Sequence, residues 1–175
     1  MPSTYNRLGI QLMATGENAG TWGTKTNTNL DLIAETWGWI SIDMASTDVT
    51  LAMTDGTAAN GRNFIIELTG SLAGTRILNM PKTAGTGPVA IEKAFLVIDK
   101  TTRNGYTLTF KTTGETGVVI PPNANIFCYQ RDDSSTNDIY TSGMLSTRGS
   151  AGTLAAQAAY SFPSADGSAD QILST

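Results

Sequence analysis

The hydrophobic period of this chain changes once, after Gly38, and that change limits what it can fold into. From Trp39 to Thr141 apolar residues recur at every second position: Ile40, Ile42 and Met44; Val49, Leu51 and Met53; Phe64, Ile66 and Leu68; Tyr106, Leu108 and Phe110. Successive side chains of a strand point to opposite faces, so this alternation marks strands with one covered and one wet face. Continuous apolar runs at Phe95–Ile98, Val118–Ile120 and Ile126–Cys128 suit strands covered on both faces. Turn signals separate the runs at Asp55-Gly56, Asn60-Gly61, Asn104-Gly105, Thr113-Gly114 and Pro121-Pro122-Asn123. Asn104-Gly105 offers the two positive-φ residues of a tight hairpin and predicts one there. About nine short strands at this spacing predict a mainly β fold, an antiparallel, jelly-roll-like β-sandwich over residues 39–141.

Residues 1–38 read differently. Up to Asn27 there is little periodicity beyond Leu8, Ile10, Leu12 and Met13, which suggest one short strand-like piece on an extended arm. Thr28 and Asp31 have capping-box spacing, Leu30, Ile33, Ala34 and Trp37 follow at helical spacing, and Gly38 offers a left-handed stop. The result is a helix of two or three turns, too short to stand alone in water and therefore expected to dock. Beyond Thr141 the chain loosens into an extended C-terminal segment, residues 142–175, small and polar with few large apolar groups.

Composition removes several functions. There is no histidine, which excludes a Ser–His–acid triad, a histidine base and most zinc sites. The one cysteine, Cys128, permits no internal disulfide and reads as a buried structural thiol. Lys25 is preceded by Thr24 where a phosphate loop needs glycine, and Gly85-Thr86-Gly87-Pro88 is a poor dinucleotide fingerprint. Asp132-Asp133 is the one adjacent carboxylate pair, and neighbours at a strand end point apart, which argues against a glycan-cleaving dyad. The chain is thus expected not to be an enzyme and to hold no cofactor or metal. A net charge of −4 argues against nucleic acid. The basic residues scattered from Arg76 to Lys111 read as a solvated face. No apolar stretch approaches the ~20 residues of a membrane span, and no signal peptide follows Met1, so no membrane insertion and synthesis in a cytoplasm are expected.

Residues 16–30 read Gly-Glu-Asn-Ala-Gly-Thr-Trp-Gly-Thr-Lys-Thr-Asn-Thr-Asn-Leu. This stretch resembles a motif near the start of tail-fibre and related virion proteins of tailed bacteriophages, especially marine ones. The motif is roughly Gly-Glu-Asn-small-Gly-x-Trp-Gly-x-x-Thr-Asn-x-Asn, matched here by Gly16, Glu17, Asn18, Gly20, Trp22, Gly23, Thr26, Asn27 and Asn29. The segment from Tyr160 to Leu173, with Phe162-Pro163 and Ala165-Asp166-Gly167-Ser168-Ala169-Asp170-Gln171, also resembles a junction between modules of phage fibre proteins. In that family the chain often continues well beyond this point, whereas here it stops at Thr175, so the resemblance does not extend to a receptor-binding tip. The resemblance implies a structural protein of the virion tail, made in the host cytoplasm and typically a homotrimer. Its implied partners are tail adaptor, nozzle or tube proteins and further fibre chains.

On that reading the first 38 residues attach. The candidate interaction residues are Glu17, Asn18, Trp22, Asn27, Asn29 and Leu30. Trp22 has no periodic companions and is expected on a flexible polar arm. It needs a groove in its own domain, a sister subunit or another virion protein, and the weight of buried aromatics in interfaces favours the last two. Trp37, at the end of an amphipathic helix, is expected to pack on its own domain. The asparagines can satisfy backbone groups of a neighbouring strand or serve local turns and caps. Two other functions compete: a capsid decoration or head-fibre protein, and a carbohydrate-binding module for host surface glycan. The latter needs an aromatic platform, for which Tyr106, Tyr129 and Tyr140 are the candidates, although their place on apolar runs favours core roles.

Overall fold

A computed structural model describes residues 3–85, 89–133 and 136–147. The C-terminal junction resemblance and the small-residue stretch before it lie outside these residues. The chain opens with a short antiparallel pair, β1 (Thr4–Tyr5) and β2 (Gln11–Leu12), followed by one helix, α1 (Trp22–Glu35). Strands β3 (Trp39–Asp43), β4 (Val49–Thr50), β5 (Ile65–Thr69), β6 (Arg76–Met80), β7 (Lys93–Asp99) and β8 (Leu108–Thr112) follow, with a 3-10 turn at Asn60–Arg62. Strands β9 (Val118–Val119), β10 (Ala124–Asp132) and β11 (Asn137–Thr147) complete the described fold.

The fold is mainly β, in several sheets, but the central strands are not antiparallel as the sequence led us to expect. One sheet has the order β11-β10-β7-β5-β3 and the other β4-β6-β8-β9. Within them β3, β5 and β7 run parallel, and so do β4, β6 and β8. Each consecutive pair, β3/β4, β5/β6 and β7/β8, is an arch that leaves one sheet and enters the other. Parallel neighbours need a long crossover; here the crossover is a strand of the opposite sheet. The arches stack in register: Ile40 beside Ile66 beside Val97, and Val49 beside Leu78 beside Phe110. Their bends stack too, since Ala73 N donates to Ala45 O and Thr102 N to Gly70 O. Strands β9, β10 and β11 add antiparallel pairs at the far end.

The alternating residues do what alternation requires. Ile66, Leu68, Phe95 and Val97 from one sheet meet Leu78, Met80, Leu108 and Phe110 from the other in a single core, with Phe95 and Phe110 edge to face at 5.4 Å. Cys128 lies in this core, and burial pushes its thiol up to about 12. Asn104-Gly105 does turn the chain with positive φ at both residues, 51° and 83°. It joins β7 to β8, which belong to different sheets, so it is the bend of an arch and not a hairpin.

Two local expectations also fail. The helix starts six residues earlier than the predicted cap: Thr21 precedes it without a side-chain cap bond, and Thr28 sits inside it with its hydroxyl on Thr24 O. A threonine that can bond its own preceding turn does not have to cap. Gly38 is not left-handed; the helix ends at Thr36 in right-handed geometry, and a Cβ on Gly38 would lie 2.4 Å from Asn63 Oδ1. Close approach, not conformation, requires that glycine.

Candidate docking surface

Helix α1 has two unlike faces. Inward, Leu32 is buried and Glu35 reaches Arg62 Nη1 at 2.9 Å and accepts Ala59 N. Arg62 is wholly buried, and its guanidinium also donates to Leu8 O, Thr57 O and Thr54 O. The fork geometry of arginine suits this role, because one side chain binds four acceptors from three segments. The N-terminal segment is therefore tied down, with Gly56 N donating to Gly9 O beside it.

Outward, positions 22, 26, 30 and 33 of α1 follow at spacings of three and four, which places them on one side, and Trp37 lies two residues past the helix end. Four of these are Trp22, Leu30, Ile33 and Trp37, and all are exposed, Trp22 at 65% and Trp37 at 75%. Trp39, the first residue of β3, is exposed as well. An amphipathic helix ordinarily turns such a stripe toward a core; here the stripe is on the outside, which makes it a candidate interaction surface. Trp22 does not lie on a flexible arm, as expected, but opens the helix. Trp37 touches its own domain through Phe64, at 5.9 Å between ring centroids, yet stays mostly in solvent, so the expected packing is partial.

The remaining candidates divide. Leu30 and Asn27 face outward. Asn29 instead holds the β1–β2 pair to the helix, donating to Gln11 O and accepting Gln11 N. Asn18 adopts φ of 61°, and its carbonyl accepts Thr21 N ahead of the helix. Glu17 accepts the backbone N–H and the hydroxyl of Ser3. Glu17, Asn18 and Asn29 therefore shape the segment, while Trp22, Leu30 and Asn27 are presented by it.

Sequence reasoning missed Lys93. It was counted on a solvated face, but it shares the inner side of β7 with Phe95, and a charged residue in an inward register was the available signal. Its Nζ donates to Asn63 O and Ala94 O and lies 4.5 Å from the Phe95 centroid. Burial, and then the charge of Arg62, push its ammonium down to about 8. A cavity of about 180 Å³ opens beside it, lined also by Leu8, Thr36, Trp37, Phe64 and Ala94. Arg103 is another misjudged cation: it pairs with buried Asp99 at 3.1 Å.

One further expectation changes. Tyr129 and Tyr140 are not core residues: they face each other across β10 and β11, half-buried and stacked at 5.7 Å, with Arg131 over Tyr140. Asp133 accepts Thr136 N in the turn between those strands, a structural use of one member of the carboxylate pair. No described helix is long and apolar enough to cross a membrane. Comparison with protein-family models, with curated proteins and with solved structures gives no match to the chain.

Proposed function

We propose that this chain is a virion structural protein of the tail-fibre type, docked to the phage tail through its N-terminal segment. One observation carries the reading: the segment that resembles the fibre motif also holds Trp22 and Leu30 out in solvent, and the residues that follow it add exposed Ile33 and Trp37. Glu17, Asn18 and Asn29 of that motif fix its shape, which is what a preorganised docking element needs. The two large sheets, facing across one core, form a sandwich-like body that the docked segment carries. Copies associate as a homotrimer, in keeping with the family resembled and with the small-residue sequence from Ser146 to Ala159. The partners are tail adaptor, nozzle or tube proteins, and the function is mechanical, not enzymatic. Mass spectrometry of separated head and tail fractions of purified particles tests this. Recovery in tails is expected; recovery only in heads would favour a capsid decoration protein, and absence from both would end the virion reading.

The glycan-binding alternative keeps one specific observation, the outward Tyr129–Tyr140 stack with Arg131 beside it. Sugar rings stack on such surfaces when an aromatic face is open. Glycan-array binding that disappears in Tyr140→Ala would favour it.

A further inference from the structure

We infer that copies of this chain associate through the outer face of the five-stranded sheet, each copy offering the same face. The number of copies rests on the homotrimer proposed above; the identity of the face does not. Strand register builds the surface. Trp39 of β3 stands beside Ile65 of β5, Ile65 beside Leu96 of β7, and Leu96 beside Phe127 of β10. One apolar row thus crosses four strands, on the side opposite Ile66, Phe95, Val97 and Cys128, which fill the core. On one flank of the row Tyr129 stands beside Ala94 and Tyr140, and on the other Ile98 stands between Glu67 and Asn125. Trp39 is exposed, and Ile65, Leu96, Phe127 and Ile98 are only half-buried, outside the core cluster.

The four-stranded sheet supplies the contrast. Its outer face presents Thr50, Asn79 and Lys111 in one row and Ile77, Thr109 and Val119 in the next. That face is mostly polar, as a wetted sheet requires, whereas the outer face of the five-stranded sheet is apolar across four strands. Charge selects the occupant. Glu67, in the adjoining row, pairs with Lys100, and Arg131, next along β10 from Tyr129 on this side, pairs with Asp133. A charged partner therefore finds no free counter-charge at the centre of the face, while an identical face meets it without opposing like charges. Size agrees with three copies. Four strands are about 19 Å wide, and facing sheets pack about 10 Å apart. Three walls of that width around one axis each stand roughly 5–6 Å from it, about half that spacing, so these side chains alone fill the centre. The row shares no residue with the outer stripe of α1, which is left to the docking partner.

The test is sedimentation velocity of the full chain at micromolar concentration, with Leu96→Glu at the middle of the row and Thr109→Glu on the polar outer face as its control. The unaltered chain and Thr109→Glu should sediment as trimers. Leu96→Glu, folded by circular dichroism, should be a monomer, its association weakened at least about a hundredfold by the buried charge. A folded Leu96→Glu that stays associated would overturn the face. A monomeric unaltered chain would overturn the face and the homotrimer together. A dimer that Leu96→Glu dissolves would uphold the face and refute the homotrimer. Should Leu96→Glu not fold, linking by a short bismaleimide decides: Leu96→Cys should join copies and Thr109→Cys should not, since Cys128 is buried. Equal linking of the two would overturn the face. Failure of the docking reading has a separate signature, the absence of the chain from tails.

Discussion

Replacing Arg62 by Met should loosen the N-terminal segment and destabilise the whole fold. Arg62 Nη1 pairs with Glu35, and the guanidinium also serves the carbonyls of Leu8, Thr54 and Thr57. Methionine has comparable reach without a donor, so packing is largely kept while four acceptors lose their partner. Removing one member of a buried ion pair costs about 3–5 kcal/mol, chiefly through the charge left behind. Glu35 is 19% exposed on its side chain and retains the Ala59 N–H, which favours the lower end, about 3 kcal/mol. For a chain of this size about 3 kcal/mol lowers the melting temperature by roughly 6–12 °C. Circular dichroism gives that shift, and hydrogen exchange should show faster exchange for amides near Leu8 and Gly9 than for those of β7. Arg62→Lys should fall between, since it keeps the charge but loses the fork. A melting temperature within about a degree of the unaltered chain would refute the reasoning, for no three-kcal/mol contact could then exist there.

Lys93 makes stability depend on pH in a definite direction. The folded chain releases its proton near 8 and the unfolded chain near 10.5, so the unfolded state holds more protons between these values. Stability therefore rises with pH across that interval and is lost as pH falls through about 8. Against Lys93→Met, the unaltered chain should gain as much as about 3 kcal/mol between pH 7.5 and 10.5, read by urea melts; a constant difference would contradict the desolvated ammonium. Asn104 donates to Ser71 Oγ and Leu72 O, linking two arch bends, while holding positive φ. Asn104→Gly should cost about 1 kcal/mol from the bonds alone, and Asn104→Ala about 2–3 kcal/mol because the backbone is strained as well. Equal stabilities of the two variants would show that the backbone conformation contributes nothing.

Alternation made the strands legible but not their partners. Ile66 and Leu68 read correctly as inward residues, since a period of two fixes faces whichever strand lies alongside. Whether β5 pairs with β3 in parallel is decided by where β4 goes, a non-local fact that the local pattern does not contain. Asn104-Gly105 shows the same division, announcing positive φ correctly while saying nothing of which sheet the next strand joins. The helix was found but started late, because Thr28 and Asp31 imitate a cap and the true first turn holds Gly23 and threonines, which are poor helix formers. At the proposed docking surface, the motif singled out a segment in which Trp22, Leu30 and Asn27 are exposed. The intrachain work of Asn29 and Glu17 was not readable from it, because their partners, Gln11 and Ser3, are distant in sequence. Lys93 was lost among scattered cations, although its even spacing from Phe95 and Val97 placed it on the inner side.

The account stands most directly on incorporation of a folded Trp22→Ser, Leu30→Ser double variant into particles, measured in competition with the unaltered chain. Both residues are exposed, so the variant should melt within about a degree of the unaltered protein. Loss of one interface tryptophan commonly costs at least about 2 kcal/mol, so the variant should be outcompeted by roughly thirtyfold or more. Equal incorporation of a fully folded variant would contradict the claim that the outer face of α1 is the docking surface.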